Sequence, residues 1–208
     1  KLVALSALMS MEEEKALPIV EKILREEENP KLRERALLVL LQSKSPNVVP
    51  LMAELMTKDP DRQIRERAVI YLGQRKEEEA LDALIKSYDI SADTRLKERI
   101  IISLSHNKSK KALDKLVSIA KTDKDMKARE RAIIMLGMER EETPDLLIQL
   151  YDSESNPEIK ERLILGIGQS RSVKARNKLL DIAKNDKEMK ARERAIIMLG
   201  MERDAEAV

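Results

Sequence analysis

The sequence predicts an all-α fold, a right-handed α-solenoid of stacked antiparallel helix pairs, and three observations predict it. The pair Glu-Arg recurs at 34/35, 66/67, 98/99, 130/131, 161/162 and 193/194, in steps of 32, 32, 32, 31 and 32 residues. A second block alternates with it: ALPIVEKIL (16–24), VVPLMAELM (48–56), ALDALIKSY (80–88), ALDKLVSIA (112–120), TPDLLIQLY (143–151) and ARNKLLDIA (175–183). Both blocks space their apolar residues as one face of a helix, and no stretch alternates as a strand does. A period of roughly 20–50 residues built from two blocks marks an array whose units bury their apolar faces only against their neighbours.

Each element follows from local signals. In the Glu-Arg block, Ile64, Ala68, Tyr71 and Leu72 fall at i, i+4, i+7 and i+8. Its helices start at Asn29-Pro30 and Asn156-Pro157, a capping side chain before a proline at the first helical position. Asp61, Asp93 and Asp125 hold the same capping slot. Gly73, Gly137, Gly168 and Gly200 stand near the helix ends, where a left-handed residue or close packing is required. In the second block, Leu81, Leu84 and Ile85 and then Leu113, Leu116 and Val117 form the apolar face. Pro18, Pro50 and Pro144 are expected in its first turn, where a missing N–H costs little.

An Asp-containing turn, an aliphatic-Arg pair, an Ala and a Leu-Gly recur in that order, best seen in Asp59 to Asp61, Ile64-Arg65, Ala68 and Leu72-Gly73. This pattern resembles HEAT-like repeats, in particular the short type of phycobilisome lyases, and the resemblance covers essentially the whole chain. It implies architecture rather than activity, because such arrays serve many roles. One departure is that the middle of the Glu-Arg helix, often aromatic in such repeats, holds Ile, Met, Val or Ser here, with Tyr71 the exception.

The chain reads as one array of about six and a half repeats over 1–208, cut mid-repeat at both ends. Ala4 and Leu8 align with Ala36 and Leu40, and Ala207 aligns with Ala175, so neither end shows a polar cap repeat. Residues 2–11, apolar enough for a signal-peptide core, read instead as half of a repeat helix. Residues 119–140 and 182–203 differ only at Thr122/Asn185 and Asp125/Glu188, which points to a recent two-repeat duplication or to engineering.

Composition narrows the function. The 40 Lys+Arg against 38 Asp+Glu leave a net charge of +2. That balance, with no Phe or Trp for base stacking, argues against a nucleic-acid module. The absence of Cys and the single His exclude disulfides, a thiol nucleophile and any site with two imidazoles. There is no Gly-rich phosphate loop, no serine with a His-acid partner and no calcium-loop spacing. An enzyme is not expected, and no cofactor or metal site is assigned. No uncharged apolar run approaches a membrane span, and the compartment stays open.

On a helical wheel counted from Ile64 at roughly 100° per residue, Ile70 lies opposite the core edge. The resemblance places this helix on a concave surface, which gives an outward column of Leu38, Ile70, Ile102, Ile134, Leu165 and Ile197. Beside it run Gln74, His106 and Met138, with Gln42, Gln169 and Met201 in the same column. An apolar stripe rimmed by charge fits a groove for a protein or peptide, while packing between neighbouring Glu-Arg helices is the structural alternative. The pairs Glu34/Arg35, Glu66/Arg67, Glu98/Arg99, Glu130/Arg131, Glu161/Arg162 and Glu193/Arg194 are expected to form a ladder, each Glu meeting the Arg of the next repeat. His106 reads as a plain surface residue, and Tyr71, Tyr88 and Tyr151 as packing residues with a hydrated hydroxyl. The expected function is a non-catalytic scaffold for a protein or peptide. A designed scaffold without a native ligand, a nucleic-acid module and a bilin-lyase-like chaperone are the alternatives.

Overall fold

A computed structural model describes residues 13–43, 45, 47–138, 143–170 and 172–206. Among the described residues the regular structure is entirely helical. Twelve helices follow one another: α1 (Glu13–Glu26), α2 (Pro30–Gln42), α3 (Val48–Lys58), α4 (Arg62–Gln74), α5 (Glu78–Ile90), α6 (Thr94–His106), α7 (Lys110–Thr122), α8 (Met126–Gly137), α9 (Thr143–Ser153), α10 (Pro157–Gln169), α11 (Val173–Asn185) and α12 (Met189–Glu206). The even-numbered helices hold the Glu-Arg pairs. Most connections are only about three residues, so consecutive helices fold back on each other. The chain divides into two compact units, residues 1–103 and 104–208, with the boundary inside α6. Each is an all-α stack of helix pairs. Residues 2–11 with Ala4 and Leu8, and Ala207 with Val208, lie outside the described residues.

In the first unit α3 packs on both α4 and α5, and α2 packs on α4. Its core is aliphatic, with Leu37, Leu40, Met52, Met56, Leu72, Leu84, Ile100 and Ile101 wholly buried. In the second unit α8, α10 and α12 pack in succession, and α7, α9 and α11 back them. Leu116, Ile133, Leu147, Ile164, Ile167 and Leu179 are buried there. Each such side chain contributes about 1.5–3 kcal/mol on leaving water.

The turn inside each repeat is built on one chemical plan. Its first residue folds a side-chain oxygen onto the backbone N–H two residues later: Asp59 accepts from Asp61 at 2.8 Å, Asp123 from Asp125 at 2.8 Å, Glu154 from Asn156 at 2.7 Å and Asp186 from Glu188 at 2.9 Å. The third residue caps the following helix. Asn29 accepts from Lys31 N–H at 3.0 Å, Asp61 from Gln63 at 2.7 Å, Asp93 from Arg95 at 3.0 Å, Asp125 from Lys127 at 2.9 Å and Asn156 from Glu158 at 2.9 Å. Caps of this kind are worth about 1 kcal/mol each.

The fourth residue of most Glu-Arg helices is a cation that reaches back across this turn, forward to the next, or both. Arg33 donates Nε to Leu24 O at 3.0 Å and pairs with the Asp59 carboxylate of the following repeat. Arg129 donates Nε to Ala120 O at 2.9 Å and pairs with Glu154. Arg65 donates to Asp59 O at 2.8 Å and reaches Asp93 at 3.4 Å, because Ser91 stands where the other turns have a carboxylate. Lys160 pairs with Asp186 at 3.3 Å, and Arg192 donates to Asp186 O at 2.7 Å. Arg33, Arg65 and Arg129 thus each satisfy a carbonyl at a helix C-terminus and join one repeat to the next, while Lys160 supplies the forward pair and Arg192 the backward bond.

Two expectations need correction. Pro18 is not in the first turn of its helix: α1 begins at Glu13 and runs through it, with acidic residues at its positive end. The tyrosine hydroxyls are not simply hydrated: Tyr151 donates to Asp186 at 2.7 Å and Tyr71 to Ser43 O at 3.3 Å, from buried rings. Of the two uses open to the glycines, close packing is the one found at Gly73, Gly137 and Gly168, whereas an added Cβ on Gly200 would meet nothing within 4 Å. A Cβ on Gly73 would lie 2.7 Å from Ser103 Cβ, and one on Gly168 would collide with Met198.

Two measurements check the clamp. The Asp59 side chain is 2% exposed and Arg33 12%, so Arg33→Ala leaves a buried carboxylate unpaired. It is expected to cost about 3–5 kcal/mol in urea unfolding. Arg25→Ala, which breaks an exposed pair with Glu54 at 2.6 Å, is expected to leave the urea midpoint nearly unchanged. Acid should weaken the second unit. Burial alone raises the Asp186 carboxyl, but hydrogen bonds from Tyr151 and Glu188 N–H and the Lys160 ammonium outweigh it and hold the group below its ordinary value. A folded-state pKa below the unfolded one gives stability that is complete above the unfolded value, about 4, and is lost as pH falls through the folded one. The urea midpoint of wild type should therefore drop more steeply below about pH 4 than that of Tyr151→Phe/Lys160→Met. Parallel curves would contradict this.

Candidate functional site

A helix buried against its neighbours on one side offers only its remaining face for contact. In α2, Leu37 and Leu40 point into the core while Leu38 keeps 42% of its surface exposed; in α4, Val69 and Leu72 are buried while Ile70 is 45% exposed. Ile102 in α6 is half-buried. The three helices succeed one another in the first unit, joined by Arg67 to Glu34 at 2.6 Å, Arg99 to Glu66 at 3.4 Å and the close approach of Gly73 to Ser103. Gln42, Gln74 and His106 are exposed at the C-terminal ends of the same helices.

In the second unit Ile134 and Leu165 are half-buried and Ile197 is exposed. Arg162 pairs with Glu130 at 3.4 Å and Arg194 with Glu161 at 3.5 Å. Met138, Gln169 and Met201 are exposed beside them. Of the other members of the Glu-Arg column, Arg35 and Glu193 are exposed, and Glu98 and Arg131 are half-buried.

The electrostatics of both faces are balanced locally. Each paired guanidinium stands within 3.5 Å of a carboxylate, so an incoming ligand meets dipoles rather than a net field. Glu66 also accepts from Arg62 Nε at 2.8 Å, which fixes it from its own helix. These partly exposed pairs are worth about 0–1 kcal/mol each and orient side chains more than they stabilise the fold. Among the described residues no group of three or more His, Asp or Glu side chains is placed to hold a metal ion. No helix among them is long and apolar enough to cross a membrane.

Sequence reasoning named the aliphatic-Arg pair, as in Ile64-Arg65, only as a mark of the repeat and did not assign the clamp role of Arg33, Arg65, Arg129, Lys160 and Arg192. Their signal was present: a cation one residue after a buried aliphatic, and a turn carboxylate about one repeat later, recur along the chain. Isolated helical wheels hide this, because a long cation beside a core residue looks like surface.

Comparison with known proteins agrees with the helix pairs. A family model described as HEAT repeats matches residues 17–105. No curated protein matches the chain. Among solved structures, human deoxyhypusine hydroxylase in complex with glycerol is similar at 14% identity, over 98% of this chain and 90% of its own, with a TM-score of 0.44. The HEAT-repeat match thus falls on α1 to α6, and the helix pairs of the second unit are consistent with the same kind of repeat.

Proposed function

We propose that the chain is a non-catalytic interaction scaffold that takes a protein or peptide segment along the outward face of its Glu-Arg helices. Leu38, Ile70 and Ile102 make the contact in the first unit, and Ile134, Leu165 and Ile197 in the second. The observation behind this reading is the exposure of Leu38 and Ile70 at matched positions of successive helices in which Leu32, Leu37, Leu40, Ile64, Val69 and Leu72 are buried. Apolar surface left in water forgoes roughly 25 cal/mol per Å², which a partner's apolar side chains would recover.

The surroundings suit that role. Paired Glu and Arg side chains supply a polar rim of directed donors and acceptors around the apolar column. Gln74 and His106 add hydrogen-bonding groups at its edge, and Met138 adds a deformable apolar one. HEAT repeats generally act as protein-interaction scaffolds. Packed helices lie about 8–10 Å apart and a polyproline II segment rises about 3.1 Å per residue with about three residues per turn, so a peptide in that conformation with an aliphatic side chain at every third residue suits the spacing of Leu38, Ile70 and Ile102.

The test is to select peptides on the intact protein from a displayed library and measure their affinity for Leu38→Lys/Ile70→Lys. Both positions are exposed, so helicity and melting temperature should match wild type, while affinity falls at least about tenfold. Ile90→Lys, an exposed position near the end of α5, should bind as wild type does. Unchanged binding by the double variant, or its unfolding, would overturn the reading.

A further inference from the structure

The residues that open the intra-repeat turns are Glu27, Asp59, Ser91, Asp123, Glu154 and Asp186. Five are carboxylates and one is a hydroxyl. The Ser91 turn still closes in the common way. Ser91 Oγ accepts from Asp93 N–H at 3.1 Å, as Glu27 accepts from Asn29 N–H at 3.2 Å and Asp59 from Asp61 N–H at 2.8 Å. A hydroxyl lacks the second oxygen and the charge that take the cation of the preceding repeat at Asp59, Glu154 and Asp186. The cation aimed at the Ser91 turn is Arg65. It donates to Asp59 O at 2.8 Å and Pro60 O at 3.2 Å, and its other terminal nitrogen stretches to Asp93 at 3.4 Å. That pair is open to water: the Asp93 side chain is 40% exposed where Asp59 is 2%. The Lys97 ammonium lies 4.9 Å over the ring of Tyr88, three residues before Ser91. Asp89, Ile90, Ala92, Thr94 and Arg95 are exposed and Ser91 is half-buried, so the turn lies at the surface.

We propose that Ser91 is a phosphorylation site, and that its phosphate supplies the missing anion and locks Arg65 of α4 onto the turn between α5 and α6. A protein kinase brings the nucleoside triphosphate. Ser91 Oγ attacks the γ-phosphorus, the new O–P bond forms as the bond to the β-phosphate oxygen breaks, the nucleoside diphosphate leaves and the hydroxyl proton passes to the kinase's base. The phosphate then carries a charge of about −1.5 to −2 and three acceptor oxygens, a stronger partner for a guanidinium than a carboxylate. Length is no obstacle, because Glu27 and Glu154 show that the opening position accepts an acid longer than aspartate. Nor is the neighbouring Asp93. Asp59 with Asp61, Asp123 with Asp125 and Asp186 with Glu188 already place two acids two residues apart in the same turn. Asp93 keeps its cap through Oδ1, which accepts from Arg95 and Leu96 N–H at 3.0 and 3.2 Å, and yields only the Arg65 contact at Oδ2. The lock needs Arg65 and the turn alone, whether or not the outward column carries a peptide.

The test installs phosphoserine at position 91 of the whole chain and follows urea unfolding and amide exchange. The urea midpoint should rise above that of the unmodified chain, and exchange of the Asp93 to Leu96 amides should slow at least about tenfold. Ser91→Asp should give part of the rise and Ser91→Ala none. In an Arg65→Met background the phosphate should give no rise, whereas a phosphate acting only on the start of α6 would still give one. Phosphorus NMR reads the contact without a second variant. The second ionisation of the phosphate, about pH 6 in an unfolded chain, should move lower in the folded one, because a guanidinium favours the dianion. Mass spectrometry of the protein taken from its own cells should find phosphate on Ser91. A midpoint that does not rise, a rise that survives Arg65→Met, an unshifted ionisation, or phosphate found on Thr94 and never on Ser91 would each overturn the proposal.

Discussion

At Asp59, Glu154 and Asp186 the carboxylate that opens the intra-repeat turn serves two structures at once. One oxygen of Asp59 closes its own turn onto Asp61 N–H, and the other takes the guanidinium that Arg33 sends from the preceding repeat. Glu154 and Asp186 do the same with Arg129 and Lys160. Aliphatic faces alone would let neighbouring pairs slide, because the hydrophobic effect has no direction. A buried ion pair with both ends hydrogen-bonded permits one offset, and any slip leaves a charge desolvated and unpaired. The repeat spacing, the crossing of the Glu-Arg helices and the face they present all follow from that offset.

Much of this was legible from residue spacing because the signals are local. Asn29, Asp61, Asp93, Asp125 and Asn156 were readable as caps, since a cap acts within three residues. What escaped depends on the neighbouring repeat. The wheel treats Leu38, Ile102 and Leu165 as equivalent, whereas Leu38 is exposed and the other two are half-buried, an outcome decided by the helices on either side. The glycines offered two readings, and only the approach of Ser103 to Gly73 or of Gly166 to Gly137 selects between them. The Tyr151 hydroxyl, expected in water, is taken up by Asp186 some 35 residues away. Pro18 was placed by the apolar block and not by the true start of α1, which lies in the acidic run before it.

The charges divide into two sets with different work. Those in the turns are shielded from solvent and hold the stack, as the Arg33–Asp59 and Arg129–Glu154 pairs show by their burial. Those on the outward face, Arg67–Glu34 and Arg162–Glu130 among them, remain partly in water and add little stability. Paired charges of this kind exert little long-range attraction, so a partner on the proposed face would be selected by shape and apolar contact.

If clamps and neighbour contacts set the structure, removing one whole repeat should be tolerated and removing half of one should not. Circular dichroism and urea unfolding of a chain lacking residues 62–93 answer this directly, because the cut takes out α4 and α5 together and lets α6 take the place of α4 after Asp61. The account predicts undiminished helicity per residue and a cooperative transition for that deletion, and loss of cooperativity when 62–77 alone is removed. Equal disruption by both deletions would contradict it.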